Sequence, residues 1–139
     1  MTTKKHVIRA IGIATTTVAL TLTMSNSAQA IPYSAECSTT GAWAKVSTDR
    51  DGADDRVDFV INFSDTLADG HHARARLVTK DVNGIIKRWQ WHKDTDGSNN
   101  GNVRYASYAI NSSGIFSVGI DAARFEGDTL LNACTKFGA

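Results

Sequence analysis

Apolar and polar side chains alternate along residues 57–63, and this pattern limits the chain to few folds. Only Val60 departs from the alternation. A period of two places the apolar set on one face of a β-strand and the polar set toward water. The pattern therefore predicts a half-buried strand. The apolar positions are Val57, Phe59, Ile61 and Phe63.

Strand patterns of this kind dominate the rest of the chain. The breaks between them carry Asp-Gly, Asn-Gly, Gly-Ser and Ser-Gly pairs, and the single proline, Pro32, lies outside every candidate strand. The only helix expected is a short turn at Ala122–Phe125. About seven strands at this spacing predict an all-β fold, a single antiparallel β-sandwich. The other candidate strands are residues 42–48, 71–81, 85–93, 102–110, 116–122 and 129–136.

The first 30 residues have the organisation of a secretory signal peptide. A basic start is followed by an apolar stretch from Ala10 to Met24 and then by Ala28-Gln29-Ala30, the small-residue pattern that signal peptidases cleave. The apolar stretch is shorter than the roughly 20 residues that a membrane-spanning helix needs. We therefore expect cleavage before Ile31 and a secreted, extracellular β-sandwich domain of residues 31–139, with no membrane attachment after cleavage.

The expected domain is close to electrically neutral. Residues 1–30 hold three of the 15 lysines and arginines and none of the 14 aspartates and glutamates, so 12 basic and 14 acidic side chains remain, a net charge of −2. That balance gives no bulk attraction to nucleic acid or to an anionic membrane. We expect no nucleic-acid partner and a monomeric domain.

Two cysteines, Cys37 and Cys134, lie near opposite ends of this domain. In an exported protein an even pair is most simply a disulfide, and two thiols alone make a poor metal site. Closing so long a loop is expected to contribute roughly 4–5 kcal/mol to stability. We predict a single disulfide that ties the sandwich near its termini.

A hairpin is predicted around Asn83-Gly84, and its register decides where two tryptophans point. A two-residue turn would pair Val82 with Ile85. A three-residue loop with Gly84 in the left-handed region would instead pair Asp81 with Ile85. The second register is preferred because it sorts apolar from polar side chains, and a one-residue slip would exchange the two faces.

The preferred register places both hairpin tryptophans in the core. Trp89 then faces Leu77, and Trp91 faces Ala75, whose small side chain leaves room for an indole ring. Trp43, on another candidate strand, is expected in the core for the same reason. The alternative exposes Trp89 and Trp91 as a flat aromatic platform for sugar rings.

The opposite face of the same hairpin collects basic and titratable side chains. Such a face can bind a carboxylate, a sulfated glycan or an acidic patch of another protein. The simpler interpretation is a solvated sheet face that keeps the protein soluble and blunts edge pairing. The members are His72, Arg74, Arg76, Lys80, Arg88 and His92.

Acidic residues cluster in two loops around Asp-Gly pairs. Clusters of hard oxygen ligands around a glycine can wrap Ca²⁺, although neither loop has the EF-hand spacing. Asp-Gly is also an ordinary turn former, and a simple turn is the favoured interpretation. No other cofactor is indicated. The candidate calcium ligands are Asp49, Asp51, Asp54 and Asp55; the second loop is Asp94-Thr95-Asp96-Gly97.

Three stretches of the chain resemble small exported proteins of unknown function found in actinobacteria. The resemblance implies export and carries no activity across. The overall plan also resembles bacterial cellulose-binding modules in architecture alone. The stretches are Gly70-His71-His72 with Arg76 and Thr79-Lys80; Ser113-Gly114-Ile115-Phe116 with Ala123-Arg124-Phe125-Glu126-Gly127; and Leu131-Asn132-Ala133-Cys134-Thr135.

These features predict an exported, non-catalytic binding domain. We expect its ligand to be an extracellular protein, including a secreted enzyme that it inhibits. The alternative is a carbohydrate-binding module that uses exposed tryptophans. A small secreted hydrolase ranks third, because the chain has no Gly-x-Ser-x-Gly nucleophile elbow and a disulfide would leave no free thiol.

Overall fold

The computed structural model of the protein describes residues 32–50, 53–98 and 100–138. The predicted signal peptide lies outside these residues. The described part is built from β-strands and turns. The strands are β1 (Pro32–Thr39), β2 (Ala42–Asp49), β3 (Asp54–Asp65), β4 (His72–Lys80), β5 (Ile86–Arg88), β6 (His92–Lys93), β7 (Val103–Ile115), β8 (Ser117–Glu126) and β9 (Thr129–Phe137).

The strands form two antiparallel sheets, which confirms the predicted all-β sandwich. Sheet A has the order β1-β2-β3-β7, and sheet B has the order β5-β4-β8-β9 with β6 also paired to β4. The described residues form nine strands rather than about seven. β1 was not predicted, and the predicted strand at 85–93 is broken into β5 and β6.

The core lies between the two sheets and is filled by alternate residues of each long strand. Val46 and Ile61 enter it from sheet A, and Leu77 and Ile120 enter it from sheet B, each at most 1% exposed. The alternation predicted for residues 57–63 is confirmed, because all four of its apolar side chains belong to this core. No helix in the described ranges is long and apolar enough to cross a membrane.

The helical turn predicted at Ala122–Phe125 is wrong. These residues continue β8, which pairs with β4 on one side and with β9 on the other. Hydrogen bonding to two neighbouring strands satisfies the backbone in the extended form. The run of small and apolar side chains that suggested a helix is buried on both faces of a central strand.

The predicted disulfide is confirmed between Cys37 of β1 and Cys134 of β9, whose Cα atoms lie 6.1 Å apart. β1 is an edge strand of sheet A, and β9 is an edge strand of sheet B. The bridge therefore joins the two sheets along one side of the sandwich. Beside it, the Asn132 amide donates a hydrogen bond to the carbonyl oxygen of Thr40 (3.2 Å).

Candidate binding surfaces

The hairpin after β4 begins in the predicted three-residue register. The backbone N–H of Asp81 donates to the carbonyl oxygen of Ile85 (3.0 Å), and Gly84 has a φ of +84°. The Asp81 carboxylate accepts the N–H groups of Asn83 and Ile85, at 2.9 and 2.8 Å. The loop is therefore closed by its own aspartate, and glycine supplies the left-handed residue.

The register changes by one residue farther along the hairpin. Ala75 pairs with His92, and Arg74 pairs with Lys93, so the predicted pairing of Ala75 with Trp91 is wrong. His92 consequently leaves the predicted basic face and points toward the core. Its ring stacks on Tyr105, with centroids 3.6 Å apart, and burial lowers the pKa of His92.

The two hairpin tryptophans lie on opposite faces of sheet B. Trp89 packs against the core, as predicted, and its indole N–H donates to the hydroxyl of Thr79 (3.1 Å). The core position predicted for Trp91 is wrong. Its ring packs edge-on against Phe125 (centroids 5.4 Å apart) and lies 4.0 Å from the guanidinium of Arg76. The two rings therefore form no shared flat platform.

At the centre of the predicted basic face, two arginines and a threonine hydroxyl surround the carboxylate of Asp121. The Asp121 side chain is 4% exposed; it accepts a hydrogen bond from Arg76 at 2.8 Å and lies 3.4 Å from Arg88. Thr135 donates its hydroxyl to the other carboxylate oxygen at 2.6 Å. Arg76 also lies over the ring of Trp91. Its hydrogen-bonding contact and its cation–π contact are therefore both made within the protein.

The remaining members of this face are also engaged. Arg74 donates to Nε2 of His72 (3.0 Å) and to the carboxylate of Asp128 (2.7 Å), and this contact lowers the pKa of Asp128. Burial and the positive charges of Lys93 and Arg74 lower the pKa of His72. Lys80 lies 4.8 Å from the ring centre of Phe137. The face offers less free charge than the sequence indicated.

The acidic loops give no metal site within the described residues. Asp51 lies outside them, and no three His, Cys, Asp or Glu side chains of the described ranges come together as metal ligands. The calcium site of Asp49, Asp51, Asp54 and Asp55 therefore stays a prediction. In the second loop, the Asp94 carboxylate is buried and accepts the N–H groups of Asp65 and Asp96, each at 2.9 Å. That aspartate closes a turn.

A groove crosses the outer face of sheet A, where sequence analysis placed no site. Its volume is about 400 Å³, and no residue of sheet B lines it. Its floor is a row of small or short side chains that pair in register across three strands: Ser47 of β2, Val60 of β3 and Ala106 of β7. Because the row runs across the strands, the groove runs perpendicular to them.

One side of the groove is formed by the ring of Tyr108, which an arginine side chain supports. Tyr108 is 52% exposed, and the guanidinium of Arg56 lies 4.0 Å from its ring centre. Arg56 is itself held by two hydrogen bonds to Asp58, at 2.7 and 3.3 Å. This contact lowers the pKa of Asp58 and raises that of Arg56. The ring is therefore held in place before any ligand arrives.

A polar row lies next to the groove but does not line it. Its members, Lys45, Asn62 and Arg104, pair in register across β2, β3 and β7, two residues along the strands from the floor. Beyond this row lies Trp43, whose indole N–H donates to Glu36 at 2.8 Å.

The core position predicted for Trp43 is wrong, and the sequence contained the signal that corrects it. Ala42, Ala44 and Val46 are fully buried, and the residues between them alternate to the outer face. Trp43 is in phase with Lys45, on that outer face. The prediction relied on the large apolar side chain of Trp43 and not on its position in the alternation.

No protein-family model, curated protein or solved structure matches the chain. The resemblance to small exported actinobacterial proteins accordingly stays a prediction.

Proposed function

We propose that this protein is an exported, non-catalytic domain that binds a polysaccharide chain in the groove of sheet A. The observation that carries the proposal is the row of Ser47, Val60 and Ala106, which leaves an open trough beside the exposed ring of Tyr108.

The shape of the groove suits an extended ligand. Three adjacent strands span about 10 Å at the usual spacing, and β1 adds a fourth strand with Ser34 in the same row. An open trough of that length accepts several linked sugar rings better than one compact molecule.

The chemistry of the walls suits sugars. An aromatic ring offers a flat apolar surface to the C–H face of a sugar, and Tyr108 presents such a ring at the groove. The carboxylates of Asp49 and Asp58 can accept hydrogen bonds from sugar hydroxyl groups, and the hydroxyl of Ser47 can donate or accept one. Because Arg56 already holds the tyrosine, little side-chain entropy is lost on binding.

Export is supported by two independent features. Residues 1–30 have the pattern of a signal peptide. The disulfide between Cys37 and Cys134 is a bond that persists in oxidising compartments.

A protein partner is the second candidate, and an exposed apolar tip favours it. Four large apolar side chains at the β4–β5 loop and the β7–β8 corner are between 44% and 65% exposed. The N–H of Phe116 donates to the carbonyl of Lys80 (2.8 Å), which brings the corner beside the loop. Clustered exposed apolar groups often mark protein contacts. We call Val82, Ile85, Ile86 and Phe116 the apolar tip.

Two matched aromatic substitutions distinguish these candidates. Protein produced from the full-length chain is run through native gels that contain individual polysaccharides, and retardation reports binding. Tyr108→Ala should weaken binding at least about fivefold, because aromatic stacking contributes roughly 1 kcal/mol. Phe116→Ala, which removes a comparably exposed ring from the apolar tip, should leave retardation unchanged.

The opposite pattern would favour the protein partner. If Tyr108→Ala is retarded as strongly as the wild type, the proposed binding in the groove is contradicted. A culture-medium protein that copurifies with the wild type and is lost from Phe116→Ala would support the second candidate.

A further inference from the structure

We infer that two copies of this protein pair through strand β7 and form a symmetric dimer in which their two grooves join. The inference replaces the monomer expected from the sequence. It goes beyond the proposed function and does not depend on it, because self-association is measured without any ligand.

The first argument is that β7 is a long edge strand with little protection. Within the described chain, β3 is its only strand partner. Residues 103–110 pair with β3 without interruption, so alternate N–H and C=O groups along this stretch face away from the sheet. Edge strands are commonly shielded by lysine, proline, a bulge or short length. This stretch has no proline, and its one charged side chain is Arg104.

The other edges of the sandwich are less open. On the free side of sheet B, β5 and β6 comprise three and two residues, and residues 89–91 separate them. On the opposite side of the sandwich, the disulfide links β1 to β9, and the side chains of Thr39 and Asn132 are hydrogen bonded at 3.3 Å. Short or covered edges are poor templates for a further strand. β7 is therefore the edge at which a second copy extends a sheet.

Symmetry and side-chain chemistry select the register of this pairing. A two-fold axis at one residue of an antiparallel pair places that residue opposite itself and keeps the outer faces of both copies on the same side. With the axis at Ala106, whose side chain is small and exposed, Arg104 lies opposite the partner's Tyr108. An axis at Ser107 would place Arg104 opposite the partner's Ile110 instead. We therefore place the axis at Ala106.

This register gives Arg104 a partner that it does not have within one copy. Arg104 is exposed and forms no ion pair with a carboxylate in the described part of the chain. The ring of Tyr108 already contacts one guanidinium, that of Arg56, and is suited to such cation–π contacts. Asp58 pairs in register with Tyr108, and its side chain is 71% exposed. Arg104 therefore faces an aromatic ring with a carboxylate behind it, and symmetry makes this contact twice.

The same register joins the two grooves. Ser47, Val60 and Ala106 form the floor in one copy, and because Ala106 lies opposite itself, the floor continues in reverse order in the second copy. It then crosses six adjacent strands and spans about 24 Å, instead of about 10 Å. One Tyr108 ring from each copy lies on either side of this floor. Each copy thus contributes half of a single longer groove.

The first test measures mass in solution. In analytical ultracentrifugation without polysaccharide, protein from the full-length chain should have the mass of two chains at about 100 µM. Ala106→Lys places two ammonium groups opposite each other at the axis and should weaken self-association at least about tenfold. Ser34→Lys adds the same charge at an exposed position of edge strand β1 and is the matched control, which should remain a dimer.

The second test locates the axis by cross-linking. Ala106→Cys places two thiols opposite each other, with Cα atoms about 4.5–5.5 Å apart, a separation that permits a disulfide. After mild oxidation, a non-reducing gel should show a covalent dimer of Ala106→Cys, whereas Ser34→Cys should migrate as a single chain. Circular dichroism establishes that each variant is folded. The small change to cysteine keeps the inference testable if Ala106→Lys does not fold.

Three results would overturn pairing through β7. They are a wild type with the mass of one chain at about 100 µM, an Ala106→Lys variant that associates as tightly as the wild type, and cross-linking of Ala106→Cys no stronger than that of Ser34→Cys. Each of these results would leave the proposed function standing, because polysaccharide binding is measured separately by gel retardation.

Discussion

The buried carboxylate of Asp121 holds the outer face of sheet B together, and its pairing with Arg76 can be measured. Breaking a buried ion pair costs roughly 3–5 kcal/mol when the remaining charge has no partner. Here Arg88 stays 3.4 Å away, and the hydroxyl of Thr135 still donates. We therefore expect Arg76→Ala to lower the free energy of unfolding by about 2–3 kcal/mol.

The assay is a double-mutant cycle of Arg76→Ala and Asp121→Ala, measured by urea denaturation followed by circular dichroism. The matched control is Arg56 with Asp58, whose side chains are 53% and 71% exposed. That exposed pair should show a coupling energy of at most about 1 kcal/mol. A loss below about 0.5 kcal/mol for Arg76→Ala, or equal coupling in both pairs, would refute the structural role of Asp121.

Three further perturbations have defined outcomes. Replacing Cys37 and Cys134 together by Ser should lower the free energy of unfolding by roughly 2–5 kcal/mol in urea denaturation; unchanged stability would contradict this. Burial lowers the pKa of His92 from 6.5, so the unfolded chain binds this proton more readily and stability should fall as pH drops below about 6.5. His92→Phe should flatten that decline, and an unaltered slope of melting temperature against pH would exclude His92 as its source. Gly41→Ala should lower the melting temperature more than Gly70→Ala: both glycines have φ near +80°, but only a Cβ at 41 would meet an arginine side chain, at 2.6 Å. Equal losses of melting temperature in the two variants would mean that the arginine side chain moves away from the added Cβ.

The predicted fold followed from local patterns that tertiary contacts reinforce. The alternation at 57–63 required one buried face, and the sandwich supplies it. The hairpin register from Asp81 to Ile85 followed from the conformational freedom of Gly84. Both depend on residues close in sequence, so the sequence alone contained enough information.

The wrong predictions concern side-chain contacts that depend on residues distant in sequence. The register shift after Trp89 lets Trp91 contact Phe125, a residue of β8 that no local pattern links to the hairpin. The neutralisation of Arg76 likewise depends on Asp121, 45 residues away. A period-two pattern identifies a face of a strand, but it does not show which side chains of other strands share that face.

The groove was missed for a different reason. Its floor consists of small side chains that have no chemical signature in the sequence, and only the pairing of β2, β3 and β7 places them in one row. The outer-face position of Trp43, by contrast, could be predicted, because its phase with Lys45 was visible before the fold was known.

The position of the disulfide also has a mechanical consequence. Cys37 and Cys134 are 97 residues apart in sequence, and both lie in edge strands. A pulling force applied outside this loop passes from β1 to β9 through the covalent bridge rather than through the hydrogen-bonded ladders. With the bridge intact, about 340 Å of chain, at roughly 3.5 Å per residue, is shielded from extension. The groove of sheet A lies within that shielded loop, so tension on the flanking segments would leave its strands paired.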